Sequence, residues 1–107
     1  MSSRVHKHAS VRVDLLQHFV YIGERNFDAA ERFLEAAEKA FEMLGKMPGL
    51  GALREFGNPE LEGLRSWPIA GFESFLIFYL PREGGIDVIR VISGYRDLDT
   101  VFGASKD

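Results

Sequence analysis

The side chains that could perform chemistry in this chain are few, and three arginines of its C-terminal half stand out. Arg65, Arg90 and Arg96 lie in or beside segments whose residue pattern predicts β-strands. Guanidinium groups can bind a phosphate, because each presents several N–H donors in a fixed plane. Arginine keeps its proton at neutral pH, however, and is therefore a poor general acid or base. The sequence shows no catalytic set, and these arginines are candidates for binding a partner or a target.

The three histidines raise the question of a metal site. His6 and His8 are two residues apart, which places them on one face if their segment is a strand. They lie near a terminus that we expect to be loose, and the sequence reveals no third ligand. The chain has no cysteine, which excludes thiolate zinc ligands. No glycine-rich stretch leads into a helix that starts with Lys and Ser or Thr, as a phosphate-binding loop would. We predict no metal and no cofactor.

Length and composition indicate one ordinary globular domain. The chain has 107 residues, of which 46% are hydrophobic, and its formal net charge is -3. This length predicts a single domain over residues 1–107. The absence of strong positive charge argues against sequence-specific nucleic-acid binding by the chain alone. No apolar run is long enough for a membrane span, and the N-terminus lacks the apolar core of a signal peptide, so we expect a cytoplasmic protein.

Two amphipathic helices are predicted in the N-terminal half. In the first, over 11–25, Leu15, Phe19 and Ile22 fall at helical spacing, with Leu16 and Val20 beside them. Ser10 is a candidate N-cap. The second helix, over 27–44, has apolar residues at intervals of three and four, an N-cap at Asn26, and Gly45 and Pro48 as stop signals. The short connection between them predicts an antiparallel helical hairpin.

Three antiparallel strands are predicted in the C-terminal half. They cover 64–69, 74–80 and 86–92, and a five-residue hairpin loop over 81–85 joins the last two. The last two strands are apolar on both faces, which is typical of strands inside a covered sheet. We read 47–63 as a surface connection, 97–102 as a final helical turn, and 4–7 as an optional, poorly marked strand. The fold class is therefore α+β, with a helical hairpin packed on a small curved antiparallel sheet in two layers.

This order of elements, together with a set of short motifs, resembles the RelE/ParE toxin superfamily, nearer to its ParE branch. The resemblance covers the chain from Asp14 to about Phe102. Its motifs here are Asp14–Leu16, Tyr21–Ile22, Ala29–Phe33, Met47–Gly51, Gly63–Ser66, Phe75–Tyr79, Ile89–Ile92 and Gly94–Asp97. Each motif is weak alone, and their order and spacing make the match.

The resemblance implies a toxin of a type II toxin-antitoxin system that forms a hetero-oligomer with a cognate ParD-like antitoxin. ParE-like members poison DNA gyrase by binding, whereas RelE-like members cleave messenger RNA on the ribosome. RelE-like nucleases place Lys and Arg on the central strands and a Tyr near the C-terminus. Here the strand 75–79 has no cation, and Val101 and Phe102 stand where the Tyr is expected. We therefore favour the gyrase poison, with a ribosome-dependent nuclease and a non-toxic, interaction-only member as alternatives.

The candidate residues for binding a partner or the target are Arg65, Trp67, Arg90, Tyr95 and Arg96. For Arg65 and Arg96 a surface ion pair is an equally good interpretation, and for Trp67 core packing is the better one. Arg90 lies among apolar residues and needs a partner. Asp87 has the wrong parity to share its face, so that partner must come from elsewhere in the fold or from the antitoxin. Tyr95, in a turn led by glycine, is the better surface candidate.

Overall fold

The computed structural model describes residues 4–103, which form a five-stranded sheet with a helical hairpin on one face. The strand order is β1-β5-β4-β3-β2. The elements in chain order are β1 (Arg4–Lys7), α1 (Ala9–Gly23), α2 (Phe27–Lys46), β2 (Ala52–Leu53), β3 (Arg65–Ile69), β4 (Phe72–Arg82), β5 (Gly85–Ser93) and α3 (Leu98–Phe102).

Helix α2 is the element whose local sequence explains it best. Asn26 caps its start, because the side-chain oxygen accepts a hydrogen bond from the backbone N–H of Ala29 at 3.0 Å. One face of the helix, which includes Phe33 and Phe41, is buried against the sheet. The helix runs to Lys46, two residues beyond the predicted end, so Gly45 is a buried helical residue and not the stop signal. Within residues 4–103, no helix is long and apolar enough to cross a membrane.

Strands β4 and β5 form the centre of the sheet, as their apolar character on both faces predicted. Their connection is shorter than expected, because pairing continues to Arg82 opposite Gly85. The loop is therefore two residues and not five, and its second residue, Gly84, has a positive φ of 78°, which glycine adopts without steric cost. Pro81 is tolerated in β4 because it lies beyond Tyr79, the last β4 residue to pair with β3.

The sheet is mixed and not purely antiparallel, which corrects the predicted topology. Strand β1 pairs with β5 in parallel, with His6 opposite Asp87 and Val5 opposite Ile86. A local turn cannot signal this pairing, because the whole domain separates the two strands along the chain. Strand β2 was also missed: it lies in the predicted surface connection and pairs through only Ala52 and Leu53.

Apolar clusters cover both faces of the sheet, so the domain is more than the predicted two layers. The larger cluster lies under the helical hairpin and includes Phe33, Phe41 and Tyr79. On the opposite face, the segment 56–61 and α3 pack over β4 and β5. There the ring of Phe102 contacts that of Phe78, with ring centroids 4.5 Å apart. That sheet face is consequently not an open surface over its central strands.

Candidate functional site

Helix α1 lies along the part of β5 that β1 does not reach. Strand β1 pairs only as far as Val88, which leaves the next backbone groups of β5 without a strand partner on that side. Three polar side chains of α1, spaced four residues apart, bind them instead. Ser10 donates to the carbonyl of Ile89 at 3.0 Å, Asp14 accepts from the N–H of Val91 at 3.0 Å, and Nε2 of His18 donates to the carbonyl of Val91 at 2.7 Å. Ser10 is thus a sheet contact and not the helix cap that we predicted.

Arg90 forms a two-pronged ion pair with Asp14. Its Nε lies 2.8 Å and its Nη2 2.9 Å from the two carboxylate oxygens. The hydrogen bonds that Arg90 donates to Asp14 raise the pKa of Arg90 above its ordinary value, against the opposing effect of burial. The partner of Arg90 therefore comes from elsewhere in the fold, on α1, and this arginine joins the helix to the sheet. Its candidacy for partner binding is correspondingly weaker.

Arg65 and Tyr79 together hold the turn over 48–51. Nη1 of Arg65 donates to the carbonyls of Gly49 and Gly51. The Tyr79 hydroxyl accepts from the N–H of Gly51 at 2.8 Å and donates to the carbonyl of Pro48 at 2.7 Å. Burial raises the pKa of Tyr79 above 10.0, in spite of the hydrogen bond from Gly51 and the nearby Arg65. Arg65 thus has a structural role in holding this turn, and Tyr79 is a core residue.

Trp67 is half-buried and packs against the main core, which fits the interpretation that we preferred for it. Its ring also lines a groove of 630 Å³ between α2 and the β3–β4 turn. The α2 wall contributes Arg32, Lys39 and Met43, and Phe72 lies on the strand side. The groove is an open, largely apolar depression whose rim carries both signs of charge.

Tyr95 and Arg96 lie in the turn after β5 and are the most accessible of the five candidates. The turn is held through its backbone, by a bond from the N–H of Arg96 to the carbonyl of Ser93 at 3.2 Å. The Tyr95 side chain is 90% exposed. Within residues 4–103, neither side chain makes a hydrogen bond or an ion pair. An exposed aromatic beside a cation is typical of a contact point for another macromolecule.

A ridge of apolar side chains faces solvent on α1. Val13, Leu16 and Val20 are 55%, 65% and 52% exposed, and their spacing of three and four residues aligns them along one side of the helix. We call these three residues the α1 ridge. Helical spacing predicted that Leu16 and Val20 lie beside the buried face. The structure turns them outward, because the polar residues that contact β5 occupy the inner face.

The titratable side chains bonded to or near Arg65 and Arg90 are engaged within the domain. The Asp14 carboxylate accepts from Arg90, and the Tyr79 hydroxyl near Arg65 is bonded at both ends of the 48–51 turn. Phe102, where a RelE-like Tyr is expected, is buried and has no proton to transfer. Proton transfer to a reacting phosphate needs a titratable group within hydrogen-bond reach.

The structure is a small α+β domain, built from a helical hairpin on a mixed sheet, with exposed apolar and aromatic side chains on α1 and in the turn after β5. Residues 5–98 match the family described as the ParE toxin of type II toxin-antitoxin system, parDE. The chain therefore belongs to the ParE toxin family. Among solved structures it is similar to a chain of the chromosomal ParDE TA system from P. aeruginosa, with 17% identity and a TM-score of 0.66. That match covers 87% of this chain and 96% of the other. No curated protein matches the sequence.

Proposed function

We propose that this toxin inhibits DNA gyrase by binding it, and that a cognate ParD-like antitoxin neutralises the toxin in a cytoplasmic hetero-oligomer. The observation that carries the proposal is the match to the ParE toxin family over residues 5–98. In the described chain, the titratable groups nearest Arg90 and Arg65, the Asp14 carboxylate and the Tyr79 hydroxyl, already bind groups of the domain, which supports inhibition by binding over cleavage of RNA. The similar solved chain, which comes from a ParDE TA system, supports the antitoxin as the partner.

The antitoxin would dock on the α1 ridge. Val13, Leu16 and Val20 present the apolar positions i, i+3 and i+7, which is the pattern that an amphipathic helix of a partner matches. Exposing three neighbouring apolar side chains to water is unfavourable for an isolated domain, and burying them against a partner is favourable. A partner segment that covered them would bury a strip with no charged residue in it.

The α1 ridge can be tested with a matched pair of leucine variants. Leu16→Glu puts a charge in the centre of the ridge and is expected to weaken antitoxin binding by about 2 kcal/mol, roughly thirtyfold. Leu53→Glu makes the same change at an exposed leucine of β2, the edge strand on the other side of the sheet, and is expected to leave the affinity within about twofold. Calorimetry with the purified antitoxin measures both. Equal affinities for the two variants would place the antitoxin elsewhere.

The gyrase contact would use the turn that contains Tyr95 and Arg96. Both side chains are free for a partner, whereas Arg65 and Arg90 already bind groups of the domain itself. Truncation of an exposed aromatic anchor typically costs about 2 kcal/mol of binding free energy without unfolding the protein. A variant with Tyr95→Ala and Arg96→Ala is therefore expected to lose toxicity and to keep antitoxin binding.

An induction experiment in bacteria distinguishes the gyrase poison from the nuclease. The toxin is expressed without antitoxin, and incorporation of labelled thymidine and labelled methionine is followed over the first minutes. A gyrase poison stops DNA synthesis first, and translation declines later. Loss of translation before DNA synthesis, with cleaved messenger RNA, would contradict the proposal and indicate a RelE-like activity. The absence of any growth defect, in a strain that demonstrably accumulates the folded chain, would indicate an interaction-only member.

A further inference from the structure

The pairing of β1 with β5 assembles three potential metal ligands at the edge of the sheet. His6 lies directly opposite Asp87 in the parallel register. His8 follows His6 by two residues, so in extended backbone both side chains leave the strand on the same face. One ligand atom from each of His6, His8 and Asp87 lies within 4.8 Å of the other two. The sequence alone did not reveal Asp87 as the third ligand, because the parallel pairing could not be foreseen.

The Asp87 carboxylate is held in place by a neighbour. Its Oδ2 accepts a hydrogen bond from Nε of Arg82 at 2.9 Å, and its Oδ1 lies 3.7 Å from Nδ1 of His6. One oxygen is therefore fixed by the arginine while the other faces the histidines. Hydrogen-bonded neighbours of this kind orient the ligands in metal sites. The positive charge of Arg82 opposes a cation, so the two imidazoles must supply most of the affinity.

The two histidine rings can close on an ion without rearranging the backbone. Both residues are exposed, and their ring centroids are 5.6 Å apart in an edge-to-face arrangement. Two ligands of a tetrahedral zinc ion lie about 3.3 Å apart, given metal–nitrogen bonds of about 2.0–2.1 Å. The donor atoms, which lie within 4.8 Å of one another, must therefore approach by at most about 1.5 Å, which rotation of exposed side chains provides.

We propose that His6, His8 and Asp87 form a binding site for a divalent transition metal such as Zn²⁺. Two imidazoles and one carboxylate match the ligand preferences of Zn²⁺ and its neighbours Ni²⁺ and Cu²⁺, and they discriminate against Ca²⁺ and Mg²⁺, which prefer oxygen ligands. Three protein ligands leave a fourth position for water or for a side chain of a bound partner. The site is independent of the proposed gyrase and antitoxin contacts.

A bound ion would fasten the N-terminal strand to the sheet. Strand β1 is a four-residue edge strand that joins the sheet through β5 alone. Two of the ligands lie at the end of β1 that leads into α1, and the third lies on β5. A ligand that binds only the folded arrangement stabilises it by mass action. Zn²⁺ is therefore expected to slow hydrogen exchange of the amides of Arg4 and His8, which donate to the β5-side carbonyls of Gly84 and Val88.

The test uses the full-length chain freed of any affinity tag, with Zn²⁺ as the probe, in isothermal calorimetry and in amide hydrogen exchange by NMR. His8→Ala and Asp87→Asn are each expected to weaken Zn²⁺ binding at least tenfold, roughly the loss typical when a metal site is disrupted. Glu83→Gln removes an exposed carboxylate from the adjacent turn, outside the cluster, and is the matched control, with affinity within about twofold of the parent. Circular dichroism confirms that each variant is folded.

Three results would overturn the proposal. The first is a parent chain that binds Zn²⁺ no more tightly than the double variant His6→Ala/His8→Ala. The second is an Asp87→Asn variant within threefold of the parent, because the histidines would then hold the ion without the carboxylate. The third is an unchanged exchange rate at the Arg4 and His8 amides when the site is saturated, because the ion would then not fasten β1. If Asp87→Asn fails to fold, the double variant His6→Ala/His8→Ala still tests the site.

Discussion

Replacing Asp14 by alanine should be the most damaging single change on the surface where α1 meets β5. The carboxylate accepts three hydrogen bonds, two from Arg90 at 2.8 and 2.9 Å and one from the N–H of Val91 at 3.0 Å. Without it, the Val91 N–H is buried with no acceptor, which costs about 1–3 kcal/mol. Removing one partner of a fully buried ion pair costs about 3–5 kcal/mol. The Arg90 side chain is 26% exposed, so water offsets much of that cost and about 1 kcal/mol remains. We expect Asp14→Ala to lower the free energy of unfolding by about 2–4 kcal/mol in total.

The loss is measured by urea unfolding followed by circular dichroism, in parallel with thermal unfolding, where it corresponds to a fall in Tm of roughly 10–20 °C for a domain of this size. Glu38→Ala is the control, because it removes a carboxylate from the exposed pair with Lys7 and should change stability by no more than about 1 kcal/mol. A double-mutant cycle with Arg90→Met should give a coupling energy of about 1–3 kcal/mol. An Asp14→Ala variant within 0.5 kcal/mol of the parent, or a coupling energy near zero, would refute this reasoning.

Tyr79→Phe removes the hydroxyl that bonds both ends of the 48–51 turn, and we expect a loss of about 1–3 kcal/mol in the free energy of unfolding, measured in urea. Because burial raises the Tyr79 pKa above 10.0, the stabilising contribution is complete below pH 10 and is lost as the pH rises through the folded-state pKa. An alkaline unfolding series on Tyr79→Phe should lack this step. Gly51→Ala would place its Cβ 2.6 Å from the Tyr79 hydroxyl, so we expect a larger loss than for Tyr79→Phe; equal stability to the parent would contradict this packing. The bonds from Thr100 lower the Asp97 pKa below 3.8, so the cap of α3 persists above pH 3.8 and is lost as the pH falls through the folded-state value. The Thr100 amide shift should report that transition by NMR, and Asp97→Asn should abolish it.

The helical hairpin and the two central strands could be predicted from sequence because their signals are local. Asn26 marks a helix start by its own hydrogen-bonding chemistry, and apolar residues on both faces mark β4 and β5 as covered strands. The optional strand over 4–7 is confirmed as β1, but its position in the sheet could not be predicted, since its partner lies about 80 residues away and no short motif encodes a parallel edge pairing. The loop was predicted over 81–85 and lies at 83–84, because β4 continues through Pro81. It is tolerated where β4 has already passed the end of β3.

For Arg90, the sequence indicated that a partner is needed but not which residue provides it. The prediction that Arg90 needs a partner from outside its own strand was correct, but the identity of that partner depends on how α1 crosses β5. Ser10, Asp14 and His18 recur every four residues, and that spacing is the one sequence signal that could have revealed a polar helix face against a strand edge. The apolar spacing of α1 predicted instead that Leu16 and Val20 lie beside the buried face, whereas both are exposed. No local sequence signal distinguishes an apolar helix residue that faces the core from one that is exposed.

Inhibition of DNA gyrase by this toxin can be tested in a cleavage assay with purified gyrase and supercoiled plasmid. Protein is denatured and digested before electrophoresis. The toxin alone is predicted to accumulate linear and nicked DNA in proportion to its concentration, and an equimolar amount of antitoxin is predicted to prevent this. The variant with Tyr95→Ala and Arg96→Ala should leave the plasmid uncut while still binding antitoxin. If the folded toxin, at large excess over gyrase, produced no cleaved DNA and left supercoiling unchanged, the claim that this chain acts by binding gyrase would be contradicted.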